Sequence, residues 1–287
     1  MSDKIPGSGH FKSRDGLTFF ERRWMPEGDV LGHVALIHGY GEHCSRYEHV
    51  AHALNAGGFA VYTYDQRGFG RSPGRRGYIQ EFQQLVEDLD VFVNAVRPRA
   101  GKQPFFLFGH SMGGLVLANY YVRYHPPVCG MIFSSPFLAV GDQVSPVLLA
   151  MAGVLGRVTP WLPVLDLELG AISRLKDVVE KAMTDPMSYH GKIHARTGAQ
   201  MQMAIQQVQP KLHLIDAPLY IMHGTADRLT PIEGSHLLHE KAGATDKTLK
   251  IYEGGYHELF NDLDSELVLA DIVGWLRARA GKAQTVC

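Results

Sequence analysis

Phe105-Phe-Leu-Phe-Gly-His-Ser-Met-Gly-Gly114 is the stretch that decides how this chain is read. An apolar run with the look of a buried strand ends abruptly in Gly109-His-Ser-Met-Gly113, and a helical pattern, Leu115-Val-Leu-Ala-Asn-Tyr-Tyr-Val122, opens at once. This is the G-x-S-x-G nucleophile elbow in its strand–turn–helix setting. In so tight a turn Gly109 and Gly113 must lack side chains for the backbones to pass. Ser111 is pushed out at the top of a sheet, at a helix N-terminus whose free N–H groups face any developing negative charge. A serine placed in this way predicts nucleophilic chemistry and calls for two partners elsewhere in the chain.

Outward from the elbow, short apolar runs alternate with longer amphipathic ones. Residues 17–24, 34–38, 60–64, 105–109, 130–134, 219–223 and 248–252 read as strands. Residues 46–56, 81–97, 111–124, 231–241 and 265–279 read as helices. The alternation predicts an α/β fold with a mostly parallel central sheet and helices on both faces. Strand cores that are apolar throughout fit a sheet covered on both sides. From 137 to 210 the rhythm breaks, with no good strand and helical segments at 144–158, 172–184 and 195–208. A structureless loop of that length does not belong in a compact domain. The chain therefore divides into a core's first part at 1–136, an inserted helical cap at 137–210 and the core's second part at 211–287.

Composition narrows the function classes. The 287 residues are 45% hydrophobic and 20% charged, with a formal net charge of −1, which is ordinary globular usage. Without a basic excess or a long basic run, nothing argues for nucleic acid. Cys44, Cys129 and Cys287 are few, odd in number and widely spaced, and form neither a metal pattern nor a disulfide framework. A reducing, cytoplasmic setting is the simpler expectation. The N-terminal residues carry no apolar core of a signal peptide. The most apolar stretch, 144–158, is broken by Pro146, Gly153, Gly156 and Arg157 and is too short to span a bilayer.

A serine hydroxyl needs a base to take its proton, and the base needs an orienting acid. On folds built around such an elbow the order is Ser, then Asp or Glu, then His. Asp227 follows the strand at 219–223 in Gly224-Thr-Ala-Asp-Arg-Leu-Thr-Pro231, which puts a carboxylate in the loop layer above the sheet. Its competing role is a turn aspartate capping the next helix. His257 follows the last strand in Glu253-Gly-Gly-Tyr-His257. It is chosen among 15 histidines by that position; His223, the rival, sits at a strand end and precedes the acid. An oxyanion hole needs two backbone N–H groups, one from the residue after the nucleophile, Met112, and one from the loop His38-Gly-Tyr-Gly-Glu-His43, at Tyr40. Asp65-Gln-Arg-Gly-Phe-Gly-Arg-Ser72 lacks the full phosphate-loop pattern and reads as a structural turn. No metal or cofactor is called for.

With these words in place the chain resembles the monoacylglycerol lipase and lysophospholipase group of α/β-hydrolases. The resemblance runs from Gly16 to the last helix. It is carried by His38-Gly-Tyr-Gly-Glu-His-Cys-Ser-Arg-Tyr47, by the Asp65–Ser72 and Gly109–Gly114 segments, by Ala226-Asp-Arg228, and by Lys247-Thr-Leu-Lys-Ile-Tyr-Glu-Gly254 ahead of His257. It implies the α/β-hydrolase fold and a cap over the site with an apolar tunnel for an acyl chain, a cap that can also touch a membrane. It implies a polar end that binds a glycerol headgroup through Glu42 and Arg46. Tyr40 and Cys44 stand where the family has smaller residues.

The reaction this predicts is hydrolysis of a small lipid ester, a monoacylglycerol, to a fatty acid and glycerol by Ser111, Asp227 and His257. A lysophospholipase or broad carboxylesterase would use the same three residues. A peptidase needs an anchor for a substrate amine, and the cap shows no acidic cluster. A receptor that keeps the fold is the alternative outside catalysis.

Overall fold

Successive residues of a strand face opposite sides of its sheet, and the central strands here bury both sides. Ala35, Ile37, Leu107 and Phe133 join one apolar layer, while Val34, Leu36, Phe106, Phe108 and Ile132 join the other. The computed structural model describes residues 7–141 and 146–281. Its strands are β1 (Ser8–Lys12), β2 (Thr18–Trp24), β3 (Gly32–Ile37), β4 (Phe59–Tyr64), β5 (Phe105–His110), β6 (Gly130–Ser134), β7 (Pro163–Leu165), β8 (Ile193–His194), β9 (Leu219–Gly224) and β10 (Lys247–Tyr252). Eight of them form one sheet in the order β1-β2-β4-β3-β5-β6-β9-β10. From β4 to β10 all neighbours are parallel; β1 pairs with β2, and β2 with β4, antiparallel.

The helices are α1 (Glu48–Ala56), α2 (Phe82–Val96), α3 (Met112–Tyr124), α4 (Pro146–Val158), α5 (Lys176–Thr184), α6 (Ala195–Val208), α7 (Glu233–Lys241) and α8 (Ser265–Ala280). Apolar residues of α2, α3 and α7 cover one face of the sheet, and those of α1 and α8 cover the other. Each expected core element is present to within two or three residues. One strand of the eight-stranded sheet escaped the sequence reading: β1, a five-residue edge strand whose side chains are mostly half-exposed.

Between β6 and β9 stand α4, α5, α6, the short antiparallel pair β7–β8 and single helical turns. Of the expected helix at 144–158, its first two residues lie outside the described ones; the second expected helix starts at Lys176 rather than at 172. Among the described residues no helix is long and apolar enough to cross a membrane. Cys129 is disulfide-bonded, a pairing the sequence did not indicate, since spacing along a chain does not say which thiols meet in space.

Candidate active site

The elbow is built as its sequence requires. Ser111 holds φ 52° and ψ −120°, a conformation that L-residues rarely adopt. Its own carbonyl accepts N–H groups of Gly114 at 2.9 Å and Phe137 at 3.0 Å, and its N–H donates to the Ser134 carbonyl at 2.9 Å. These bonds hold the strained turn between β5 and α3. A Cβ on Gly113 would lie 2.3 Å from the Ile37 carbonyl oxygen, and one on Gly109 would lie 2.6 Å from that of Gly113. Both glycines are there because backbone passes against backbone.

Asp227 stands three residues beyond β9 and does two jobs with its two oxygens. Oδ1 accepts the N–H groups of Leu229 at 2.8 Å and Thr230 at 3.0 Å, the loop-capping role that competed in the sequence. Oδ2 faces His257 Nδ1 at 2.7 Å, the Thr230 hydroxyl at 2.8 Å and His223 Nε2 at 3.1 Å. Burial pushes the Asp227 carboxyl up, but the charge of His257 and the bonds from the two histidines outweigh it and hold the group far below the usual carboxylate range. His257 is the mirror image. Burial lowers its pKa, yet Asp227, with help from Glu258 and Glu42, raises it above 6.5. The Thr230 hydroxyl, 3.2 Å from His257 Nδ1, adds a side contact that the sequence reading did not include.

Ser111, Met112, Gly39, Tyr40 and His257 line one cavity of about 240 Å³. Met112 is the first residue of α3, where helical N–H groups lack partners inside the helix. The Tyr40 side chain is held in place: its hydroxyl donates to the Gly77 carbonyl at 2.7 Å and its ring packs edge-on against Phe69 and Tyr189. The loop it belongs to is braced from behind. The N–H of Gly39 donates to Glu42 Oε1 at 2.6 Å, and Gln66 bonds His38 through both its backbone and its side chain. Asp65 accepts the N–H groups of Cys44 and Arg71, so the 65–72 segment is the structural turn its sequence suggested. Cys44 is fully buried and burial pushes its thiol up, which leaves it unreactive.

In the cavity wall two buried carboxylates share one guanidinium. Arg46 Nη2 donates to both oxygens of Glu258, at 2.8 and 2.7 Å, and Arg46 Nε lies 3.5 Å from Glu42 Oε2. Tyr47 donates its hydroxyl to Glu42 Oε1 at 2.6 Å. Burial and the nearby Glu258 charge raise the Glu42 carboxyl, with Arg46 opposing. Glu258, next to His257 in sequence, was missed because it belongs to no motif. His110, inside the elbow itself, was passed over; its ring packs 4.7 Å from that of His257, and burial followed by the His257 charge keeps it neutral. The rest of the cavity is largely apolar, with Phe137, Leu165, Leu167, Ile172, Ile193 and Met201 in its wall. A second apolar cavity of about 90 Å³ adjoins it through Phe137, Val140, Leu165, Ile193 and Met201 and reaches between α4 and α6. Among the described residues no cluster of His, Cys, Asp or Glu is placed to hold a metal ion.

Comparison with known proteins agrees with this architecture. A family profile described as serine aminopeptidase, S33, matches residues 28–264. The monoacylglycerol lipase of Mycolicibacterium smegmatis is 40% identical over 253 residues, 88% of this chain and 90% of that protein. The crystal structure of Paleococcus ferrophilus monoacylglycerol lipase superposes with a TM-score of 0.82 at 33% identity, covering 91% of this chain and 99% of that one. A soluble variant of the Saccharomyces cerevisiae monoglyceride lipase, solved with a substrate analog, gives a TM-score of 0.83 at 26% identity over 97% of each chain. Fold and site together define an α/β-hydrolase of the carboxylic ester hydrolase class. Within that class the chain belongs to the monoacylglycerol lipase family.

Proposed function

We propose that the protein hydrolyses monoacylglycerols, with Ser111 as nucleophile, His257 as general base and Asp227 as its orienting acid. His257 takes the Ser111 proton as the hydroxyl oxygen attacks the ester carbonyl. The N–H groups of Tyr40 and Met112 bind the oxyanion, which is where most of the electrostatic stabilisation arises. His257 then gives its proton to the leaving glycerol oxygen. Water, deprotonated by the same imidazole, attacks the acyl-enzyme, and His257 returns that proton to Ser111 Oγ as the acyl bond breaks and the fatty acid leaves. The bond from Asp227 fixes the tautomer of His257 and steadies the imidazolium that forms twice per cycle.

The observation that carries the substrate class is a cavity lined both by an apolar wall and by a buried charged cluster. An apolar wall that continues into the second cavity suits an acyl chain, and the Glu42–Arg46–Glu258 cluster suits a small hydroxylated headgroup. In this reading residues 137–210 are the cap that supplies the acyl wall. The cap also exposes Val154, Val158, Trp161 and Leu162, a face suited to peripheral contact with a lipid surface. A choline phosphate headgroup is disfavoured because Glu42 and Glu258 would face its phosphate across a single arginine.

Side-by-side kcat/KM values for monoacylglycerol, lysophosphatidylcholine and a short-chain nitrophenyl ester test the proposal. The expected order puts monoacylglycerol first. Equal or lower efficiency on monoacylglycerol would defeat the substrate assignment and leave a broad esterase.

A further inference from the structure

Asp227 is contacted by two histidines, and the proposed mechanism uses only one. His223, the last-but-one residue of β9, is completely buried. Its Nε2 lies 3.1 Å from Asp227 Oδ2 and 3.1 Å from the Thr230 carbonyl oxygen. Both neighbours only accept, so Nε2 carries the proton. Its Nδ1 lies 2.7 Å from the hydroxyl of Ser235, itself fully buried in α7. In neutral His223 that nitrogen accepts, and Ser235 donates. A directed chain therefore runs from Ser235 O–H to His223, from His223 Nε2–H to Asp227, and from His257 Nδ1–H to the same carboxylate oxygen. The chain ties the acid to the sheet and to α7.

We propose that His223 is a positioning residue for the reaction: it holds the Asp227 carboxylate in the orientation that orients His257. The inference rests on the Ser111–His257–Asp227 reading above. The geometry favours it over simple space filling. An apolar side chain would fill the volume but would leave Asp227 Oδ2, the Thr230 carbonyl and the Ser235 hydroxyl short of a partner in a dry site. Asp227 would keep its loop bonds through Oδ1 and the Thr230 hydroxyl on Oδ2, but Oδ2, the oxygen that meets His257, would lose one of its three partners. Poorer contact between Asp227 and His257 weakens the interaction that raises the His257 pKa. The other groups facing His257, namely Glu258, Glu42 and neutral His110, stay as they are.

The test compares wild type with His223→Leu, His223→Gln, Ser235→Ala and, as reference, Asp227→Asn. Each is normalised to active sites by titration with a fluorophosphonate, and kcat/KM for monoacylglycerol is followed against pH. For His223→Leu the plateau should fall by roughly tenfold or more, as when a supporting partner of a reactive group is removed. The acidic limb, set by His257, should move to lower pH. His223→Gln, which retains an N–H donor, should recover most of the plateau and restore the limb; Ser235→Ala should shift both in the same direction as His223→Leu but less. An unchanged plateau, or a plateau loss with the limb fixed and no recovery in His223→Gln, would overturn the inference. Activity surviving intact in Asp227→Asn would instead overturn the triad reading on which it rests.

Discussion

Ser111 shows how much this fold concentrates on single residues. A non-glycine residue held at positive φ costs about 1–3 kcal/mol, and it persists only where its surroundings over-determine it. Here the Ser134, Gly114 and Phe137 contacts do so. The same holds for His257, whose charge state follows from its neighbours. Because Asp227, Glu258 and Glu42 raise its pKa above the ordinary 6.5, the neutral base is lost at a higher pH than for a free imidazole. The kcat/KM profile should therefore fall on its acidic side with a midpoint above 6.5. Glu258→Gln removes one of those charges and should move that midpoint to lower pH; a midpoint that stays put would separate Glu258 from the electrostatics of the base. The same variant breaks a buried pair and leaves Arg46 with only the more distant Glu42, so a loss of thermal stability should accompany it.

At the scale of elements, the elbow succeeds because β3, β5 and α3 meet with no side chain between them. Gly113→Ala would press a methyl group onto the Ile37 and His38 carbonyls, at 2.3 and 2.6 Å, where β3 ends. The expected cost is about 3 kcal/mol, at the upper end for overpacking, read as a lower midpoint in urea unfolding; an unchanged midpoint would show that the turn relaxes freely. The central strands and their helices were legible because burial on both sheet faces writes continuous apolar runs into the sequence. β1 was not, since Ser8–Lys12 is short, half-exposed and stabilised by pairing with β2 rather than by its own pattern. β7 and β8 are three and two residues long and carry no period to detect. At the site, Ser111, Asp227 and His257 were proposed from their order after successive strands, and the structure brings Asp227 and His257 within hydrogen-bond distance. His223, Thr230 and Glu258 were not, because their partners lie across loops and a linear motif records no such contact.

For the whole molecule, the proposed arrangement is a sheet whose loops carry the polar chemistry and elements between β6 and β9 that supply an apolar wall. The second cavity lies between α4 and α6, and Gly198 opens onto it with only Ile193 Cγ2, at 3.9 Å, near its missing Cβ. Gly198→Leu should fill that space. Its kcat/KM for long-chain monoacylglycerols should fall several-fold while short-chain ones are spared, and equal losses on both would remove the second cavity from the acyl path. Fatty-acid release from monoacylglycerol by purified Ser111→Ala shows whether these parts form one ester-cleaving machine around Ser111. A loss of about 10⁴-fold or more is expected in a protein that melts at the wild-type temperature. A folded Ser111→Ala variant that keeps a substantial share of the activity would contradict that reading.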